Sequence, residues 1–275
     1  MQASPSWTAP VGTLGGIVAE AYERAAALKS AEATLTAAAE RAQPPRSLAA
    51  ALRRPDVAVI AEVKRRSPSK GWINANISAV AQAAAYEQGG ASAISVLTEP
   101  VHFGGSVEDL VSVLQSVSIP VLKKDFHVDP IQLLEAKALG ASAALLIARA
   151  LSPDALVQMT DAARALGLEV LVEIRDEIEL ERALAVNAEI IGINNRNLET
   201  LVIDRGTSER LVSVIPASIV VVAESGVSGR DDVIRVAKSG ANAVLVGSSI
   251  SAANDPVAAT RDLTGVTRTE GARGR

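Results

Sequence analysis

A motif that returns about every 50 residues limits what this 275-residue chain can fold into more than any other feature. Gly90-Ala-Ser-Ala-Ile-Ser-Val-Leu, Gly140-Ala-Ser-Ala-Ala-Leu-Leu-Ile and Gly240-Ala-Asn-Ala-Val-Leu-Val-Gly each couple a Gly-Ala start to a short apolar run. Asn187-Ala-Glu-Ile-Ile-Gly-Ile-Asn is a looser fourth copy. The period equals two strand–helix units, so the repeat points to an internally repeated α/β architecture.

Four further runs of the same kind begin near Val57, Ile119, Leu168 and Ser218, which makes eight. Each is nearly continuous in Val, Ile, Leu and Ala, as in a parallel strand whose outer face is covered by helices and whose alternation of polarity is lost. The segments between them carry helix starts: Ser106 with Asp109, Asp129-Pro130 with Gln132, Ser152-Pro153, Ser228 with Asp231, and Asp255-Pro256. Each offers an N-cap oxygen, and several add Pro at the first helical position. Gly90, Gly140, Gly167 and Gly240 then mark helix ends, where a residue without Cβ can turn left-handed.

Eight such units can close into a barrel or stay open as a doubly wound sheet. An open sheet usually carries Gly-x-Gly-x-x-Gly after its first strand, and nothing of that form follows Val57–Lys64. The expected fold is therefore an α/β (βα)8 barrel occupying residues 1–275 as one domain. Residues 1–50 form a helical extension, with helical spacing at Ile17, Ala21, Ala25 and Leu28, and residues 267–275, with Arg268, Arg273 and Arg275, form a frayed tail.

Composition narrows the chemistry. With no cysteine, disulfides, iron–sulfur clusters and thiolate nucleophiles are excluded, and two histidines make a poor metal centre. A net charge of −4 with interspersed charges gives no pull toward nucleic acid. No apolar run is long enough for a membrane span, and no export signal opens the chain, so a cytoplasmic location is expected. Catalysis falls to Lys, Glu, Asp, Asn or Ser.

In a barrel of this type chemistry gathers at the carboxyl ends of the strands. Those ends read Glu62 and Lys64, Thr98, Lys124 and Asp125, Glu173, Asn194 and Arg196, Glu224 and Ser225, and Gly247 and Ser248. Glu62, Lys64, Lys124, Glu173 and Glu224 are charges set into apolar strands, each costly to desolvate unless paired or used. Structural ion pairing would explain them, but their restriction to one end favours a polar site with shifted pKa values. The chain's two Phe residues, Phe103 and Phe126, both follow strand ends and suggest an apolar wall for a flat substrate.

Glu224-Ser-Gly-Val-Ser-Gly229 and Val246-Gly-Ser-Ser249 place Gly and Ser where backbone N–H groups can meet an anion. A phosphate site after strands seven and eight recurs in barrels. The basic first loop, Lys64-Arg-Arg-Ser-Pro-Ser-Lys-Gly71, is read as a mobile anion clamp or lid over the same mouth.

With these residues assembled, the chain resembles the indole-3-glycerol phosphate synthase family over almost its whole length. The likeness rests on Ile60-Ala-Glu-Val-Lys-Arg-Arg-Ser-Pro-Ser-Lys-Gly71, Ser95-Val-Leu-Thr-Glu99, Phe103-Gly-Gly-Ser106, Leu122-Lys-Lys-Asp-Phe126, Leu171-Val-Glu173, Gly192-Ile-Asn-Asn-Arg196, Ala223-Glu-Ser-Gly226 and Val246-Gly-Ser248, in that order. It implies cofactor-free ring closure and decarboxylation of 1-(2-carboxyphenylamino)-1-deoxyribulose 5-phosphate, a carboxy-lyase step of tryptophan biosynthesis. By that likeness Lys124 is the general acid, Glu173 moves a proton in the dehydration, and Lys64 holds substrate anions and donates a second proton. Glu62, Asn194 and Glu224 orient these groups. Arg196 and Ser67 lie near substrate anions, Ser225, Gly226, Gly247 and Ser248 cradle the phosphate, and Phe103, Phe126 and Leu146 wall the ring. The expected partners are the phosphorylated small molecule and, for a monomer, other tryptophan-pathway enzymes, with no nucleic acid or membrane. Asn197 departs from the Asp commoner in the family.

Three alternatives stay open at this stage. A strand-end Lys could attack a carbonyl as in a Schiff-base aldolase. Phosphoribosylanthranilate isomerase shares the phosphate turns but is expected to use Cys or Asp, and Cys is missing. A non-catalytic phosphate-metabolite binder would have no use for a proton donor beside a base.

Overall fold

The computed structural model describes residues 7–269 and Arg273. Its eight barrel strands are β1 (Ala58–Val63), β2 (Ala93–Leu97), β3 (Val121–Lys124), β4 (Ala143–Ile147), β5 (Glu169–Ile174), β6 (Ile190–Asn194), β7 (Val220–Glu224) and β8 (Ala243–Val246). All are parallel, and their hydrogen bonds run β1-β8-β7-β6-β5-β4-β3-β2 and back to β1, closing the barrel. No helix among the described residues is long and apolar enough to cross a membrane.

The repeated start of each unit has a physical cause. Its Gly ends a helix in the left-handed region, as at Gly140 (φ 91°) and Gly240 (φ 88°). The Ala that follows is buried, as at Ala91, Ala141 and Ala241. The third residue fastens the bottom of the barrel, since Ser142 Oγ accepts the Val121 N–H at 3.1 Å and Asn242 Oδ1 accepts that of Val221 at 2.9 Å. Both bonds satisfy a backbone donor at the foot of the neighbouring strand.

Four predicted caps form as expected, at Ser106, Asp129, Ser152 and Asp255, with Asp129 and Gln132 completing a capping box. The fifth differs. The helix Arg230–Ser239 is capped by Gly229, and Ser228 instead donates through N and Oγ to Asp232 Oδ2 at 2.7 and 2.6 Å. The acid at the third helical position takes both Ser228 donors, so Ser228 ties down the turn instead of capping the helix.

Register decides which strand residues face inward. Leu97 pairs with Lys124, Ile147 with Glu173, Glu173 with Gly192, Asn194 with Glu224, Glu224 with Leu245, and Leu245 with Ile60. Laterally paired residues share a face, so this set lines the interior. Lys123 is thereby turned outward, where its buried Nζ lies 2.8 Å from Glu135 Oε2 and 3.4 Å from His127 Nε2.

The helical extension before β1 consists of three α-helices, Gly12–Leu28, Glu32–Arg41 and Leu48–Leu52, the first two joined by a 3-10 turn at Lys29–Ala31. The first buries Leu14, Ile17, Val18, Ala21 and Ala25. A latch fixes its start. Glu199 Oε1 accepts the Val11 N–H at 3.0 Å and Arg149 Nη2 at 2.7 Å, while Arg149 Nη1 donates to Thr8 O at 2.7 Å.

The tail departs from the expected fraying where it is described. Arg268 N and Thr269 N donate to Pro55 O and Ala237 O, both at 3.1 Å, and the Arg273 guanidinium reaches Ile219 O (3.0 Å) and Asn242 Oδ1 (2.7 Å). Strand-bottom carbonyls and the repeat's own Asn supply acceptors that a solvated tail would lack. Residues 270–272, 274 and 275 lie outside the described residues.

Candidate active site

The inward register brings the strand-end charges to one opening. Glu62, Lys64, Ser67, Phe103, Lys124, Phe126, Glu173, Asn194, Arg196, Ser225 and Ser248 line a single cavity at the carboxyl ends of the strands. An adjoining pocket shares Glu62, Lys64, Lys124, Arg196, Ser225 and Ser248 with it and adds Glu224, Gly226 and Gly247. The two make one cleft with a charged waist.

One expected residue is misplaced. Leu146 pairs with Val172, so it faces the surrounding helices and is fully buried there. Its neighbours Leu145 and Ile147 line the cavity instead. In a strand apolar on both faces the sequence carries no sign of which residue points in.

The waist is a connected ionic cluster. Lys64 Nζ stands 3.1 Å from Glu62 Oε1, and Lys124 Nζ stands 3.5 Å from Glu62 Oε2 and 3.2 Å from Glu224 Oε2. Asn194 Nδ2 donates to Glu173 Oε1 at 2.9 Å, and Asn194 Oδ1 accepts the Arg196 N–H at 2.9 Å. Glu62, Lys64, Lys124 and Glu224 thus each have a partner of opposite sign within 3.5 Å, and Glu173 is held by the amide of Asn194, as burial demands.

Their protonation follows from competition between burial and neighbours. Burial would raise Glu62, but Lys64 and Lys124 outweigh it and hold its pKa below the usual carboxylate value. Burial would lower Lys124, yet the negative potential of Glu224, Glu62 and Glu173 wins and keeps it above an ordinary lysine. For Glu224 burial prevails over Lys124, with Glu173 adding to it, and its pKa is pushed up to about 8. Burial likewise raises Glu173 against Lys124 and Asn194. The raised pKa values of Glu173 and Glu224 favour a proton shared within that pair near neutral pH.

Two glycines make room for the cluster. A Cβ on Gly192 would lie 2.2 Å from Glu224 Oε1, and one on Gly247 would lie 2.5 Å from Glu62 Oε1. Gly247, expected only as part of an anion turn, is also the space into which Glu62 fits.

In the adjoining pocket Ser225 (φ 62°) and Gly226 (φ 85°) are both left-handed, and Asn195 Nδ2 holds the turn through Ser225 O at 2.9 Å. The short helix Ser248–Ser251 begins at the tip of β8, so its first N–H groups have no intrahelical acceptor. Lys70 and Arg205 line this pocket too. Lys70 belongs to the basic loop read from sequence; Arg205 carries no local signal of its role.

The basic first loop does less anion work than its charge suggests. Arg65 Nη2 donates to Asp109 Oδ1 (2.9 Å) and Arg66 Nη1 to Val101 O (2.7 Å), so both arginines fasten the loop to the segment after β2. Of its basic residues, Lys64 and Lys70 turn to the cleft, beside Ser67.

Phe103 and Phe126 stand with ring centroids 6.0 Å apart and planes tilted by 36°, and Lys64 Nζ lies 5.5 Å from the Phe103 centroid. The fully buried Glu99 fixes the Phe103 loop by accepting N–H bonds from Val101 (3.0 Å), His102 (2.7 Å) and Phe103 (2.9 Å). Glu99 closes the Ser95–Glu99 motif, but nothing in its spacing announces this duty. Glu20, Glu99 and His102 gather three possible metal-ligand atoms within 4.8 Å, yet Glu99 is committed to these N–H groups and His102 Nε2 lies 3.1 Å from Glu20 Oε2. Asp125, also flagged at a strand end, accepts Arg24 Nη2 at 2.9 Å and Thr98 Oγ1 at 2.6 Å, so it braces the site. Thr13, Leu14 and Ile17 of the first helix roof the cavity, which sequence spacing did not reveal.

Solved structures share the fold. The chain superposes on thiamine phosphate pyrophosphorylase from Pyrococcus furiosus with a TM-score of 0.56 at 18% identity, over 76% of this chain and 94% of that one. KGPDC from Streptococcus mutans gives a TM-score of 0.58 at 13% identity, over 75% and 95%. Sequence relatives are far nearer. Indole-3-glycerol phosphate synthase 1 of Streptomyces coelicolor is 50% identical over 250 residues, 91% of this chain and 92% of that protein. The synthase of Mycobacteroides abscessus is 48% identical over 251 residues, covering 91% of each. The family model for indole-3-glycerol phosphate synthase matches residues 14–263, and with identities at this level over nine-tenths of the chain, the chain belongs to the indole-3-glycerol phosphate synthase family.

Proposed function

We propose that the protein closes the ring of 1-(2-carboxyphenylamino)-1-deoxyribulose 5-phosphate and releases CO2 and water to give indole-3-glycerol phosphate. The observation that carries this reading is a lysine held as an ammonium, Lys124, in one cavity with Glu173 and an aromatic wall, beside a pocket of backbone donors and cations. In this reading the ring carbon bearing the carboxylate attacks the ketone carbon while Lys124 protonates the ketone oxygen, a proton delivered where negative charge develops. The carbon–carbon bond to CO2 then breaks and its electron pair restores the aromatic ring. Loss of the new hydroxyl as water takes a second proton, assigned to Lys64, and Glu173 removes the proton that completes the indole.

Ser225, Gly226, Gly247 and Ser248 receive the phosphate, Ser67 and Arg196 stand by substrate anions, and Phe103 and Phe126 flank the ring. Glu62, Glu224 and Asn194 orient the lysines and Glu173. The charge state of Lys124 also weighs against a Schiff-base aldolase, because an amine must be neutral to attack a carbonyl and three carboxyls here favour the cation. Incubation with the carboxyphenylamino substrate should produce indole fluorescence. Covalent labelling of Lys124 by borohydride in the presence of substrate would instead establish the aldolase chemistry.

A further inference from the structure

The proposed reaction consumes a proton that the active site cannot regenerate by itself. The substrate enters with an ionised carboxylate and leaves neutral CO2 and neutral water behind. Two protons are donated, to the ketone oxygen and to the departing hydroxyl, and one is recovered by Glu173. Each turnover therefore needs one proton from solvent, delivered to a cluster whose carboxyls are almost fully buried.

A side chamber behind Glu173 offers a route. It is lined by Glu173 and Asn194 at its inner end, by Arg175 and Glu179 along its wall, and by Arg149 and Glu199 at its rim. The rim side chains keep 27% and 23% of their surface in solvent. Its free volume of about 110 Å³ has room for several waters, each of which needs ~10–15 Å³ by the same measure. Arg175 carries a buried Nε with no hydrogen-bond partner among the described residues, a donor that chamber water would satisfy.

We propose that Glu179 is the positioning residue of a proton relay, passing one proton per turnover from solvent at the Arg149–Glu199 rim through the side chamber to Glu173 and the lysine cluster. The proposal rests on the reaction assigned above, since only a reaction with net proton uptake needs the relay. Glu179 is buried and accepts the Arg175 N–H through Oε2 at 2.7 Å, which holds the carboxyl in the chamber wall. The charged groups around it are Asp176 and Arg182 on its own segment, Arg175 after β5, Arg149 after β4, Glu173 on β5, and Arg196 and Glu199 after β6. Burial, reinforced by Asp176, pushes its pKa up to about 7 against the N–H of Arg175 and the charges of Arg182 and Arg149, so it can both take and give a proton near neutrality. It is also near enough to Glu173 for its charge to raise that carboxyl further.

Glu179→Gln in the full chain keeps an acceptor for the Arg175 N–H and removes the exchangeable proton together with the charge that acts on Glu173. In dilute buffer at about pH 8, kcat should fall roughly fivefold with KM unchanged, and added imidazole should restore it by carrying protons in from solution. Wild-type kcat should not respond to imidazole. An unchanged kcat in dilute buffer overturns the relay, and so does a loss that imidazole leaves untouched, because a carboxyl that merely caps the loop cannot be replaced by a diffusing acid. If Glu179→Gln does not fold, Arg182→Gln serves: loss of that cation should move the alkaline fall of kcat to higher pH, and an unmoved profile sinks the idea. A wild-type protein that makes no indole product would overturn the functional reading and the relay together, whereas turnover without imidazole rescue overturns the relay alone.

Discussion

Lys124 Nζ lies 3.2 Å from Glu224 Oε2, although β3 and β7 stand on opposite sides of the barrel with three strands between them either way round. The contact spans the mouth, so the ammonium is held over the cavity rather than against its own wall. Lys124→Met should keep the fold and lower kcat by about 10²- to 10⁴-fold, the usual worth of a general acid. Turnover at the wild-type rate, measured by indole fluorescence on protein with unaltered circular dichroism, would remove Lys124 from the mechanism.

Gly192 tests the packing beneath that contact. A methyl at this position would meet Glu224 Oε1 at 2.2 Å and Leu171 Cδ2 at 2.6 Å, so both side-chain ends must shift to admit it. Gly192→Ala is expected to cost ~1–3 kcal/mol, as overpacking does. It should also lower kcat by pushing Glu224 away from Lys124. Denaturant unfolding and kinetics on the same preparation measure both effects.

The raised pKa of Glu224 sets a pH dependence of stability. A carboxyl whose folded pKa lies above its unfolded value of 4.5 binds its proton more tightly when folded, so its contribution is full below that value and is lost as pH rises to about 8. Glu224→Gln removes this loss. The unfolding midpoint of the wild type should fall more between about pH 5 and about pH 9 than that of the variant. Parallel slopes would show that Glu224 does not carry the shift.

Leu145 and Leu146 separate cavity from core. Leu145→Ala should alter KM, since that side chain lines the cleft, while Leu146→Ala, buried outside the barrel, should cost ~2–5 kcal/mol of stability with KM unchanged. Reversed effects would mean that the register of β4 is other than described.

At the opposite end, Arg273→Ala breaks the bonds to Ile219 O and Asn242 Oδ1 and leaves both acceptors without this donor. A loss of ~1–3 kcal/mol with normal kcat is expected, as for hydrogen bonds to a charged group. Unchanged stability would restore the frayed tail.

The sequence by itself determined the eight strands, because each observed strand starts one to three residues after its predicted run. It also determined the chemistry of the cleft, since a charge in an apolar strand has few places to go and Glu62, Lys124, Glu173 and Glu224 all went to the mouth. Tertiary structure alone decided what depends on closure. Parity could not be read in β4, where Leu145, Leu146 and Ile147 are alike in polarity, nor at Lys123 and Lys124, where both neighbours are charged. Only the lateral register, passed around eight strands until β8 met β1, fixed which side chains point inward. The pairing of Lys124 with Glu224, the space left by Gly192 and Gly247, the cation Arg205 at the anion pocket and the docked Arg273 are contacts between residues distant in sequence, so no local pattern encodes them.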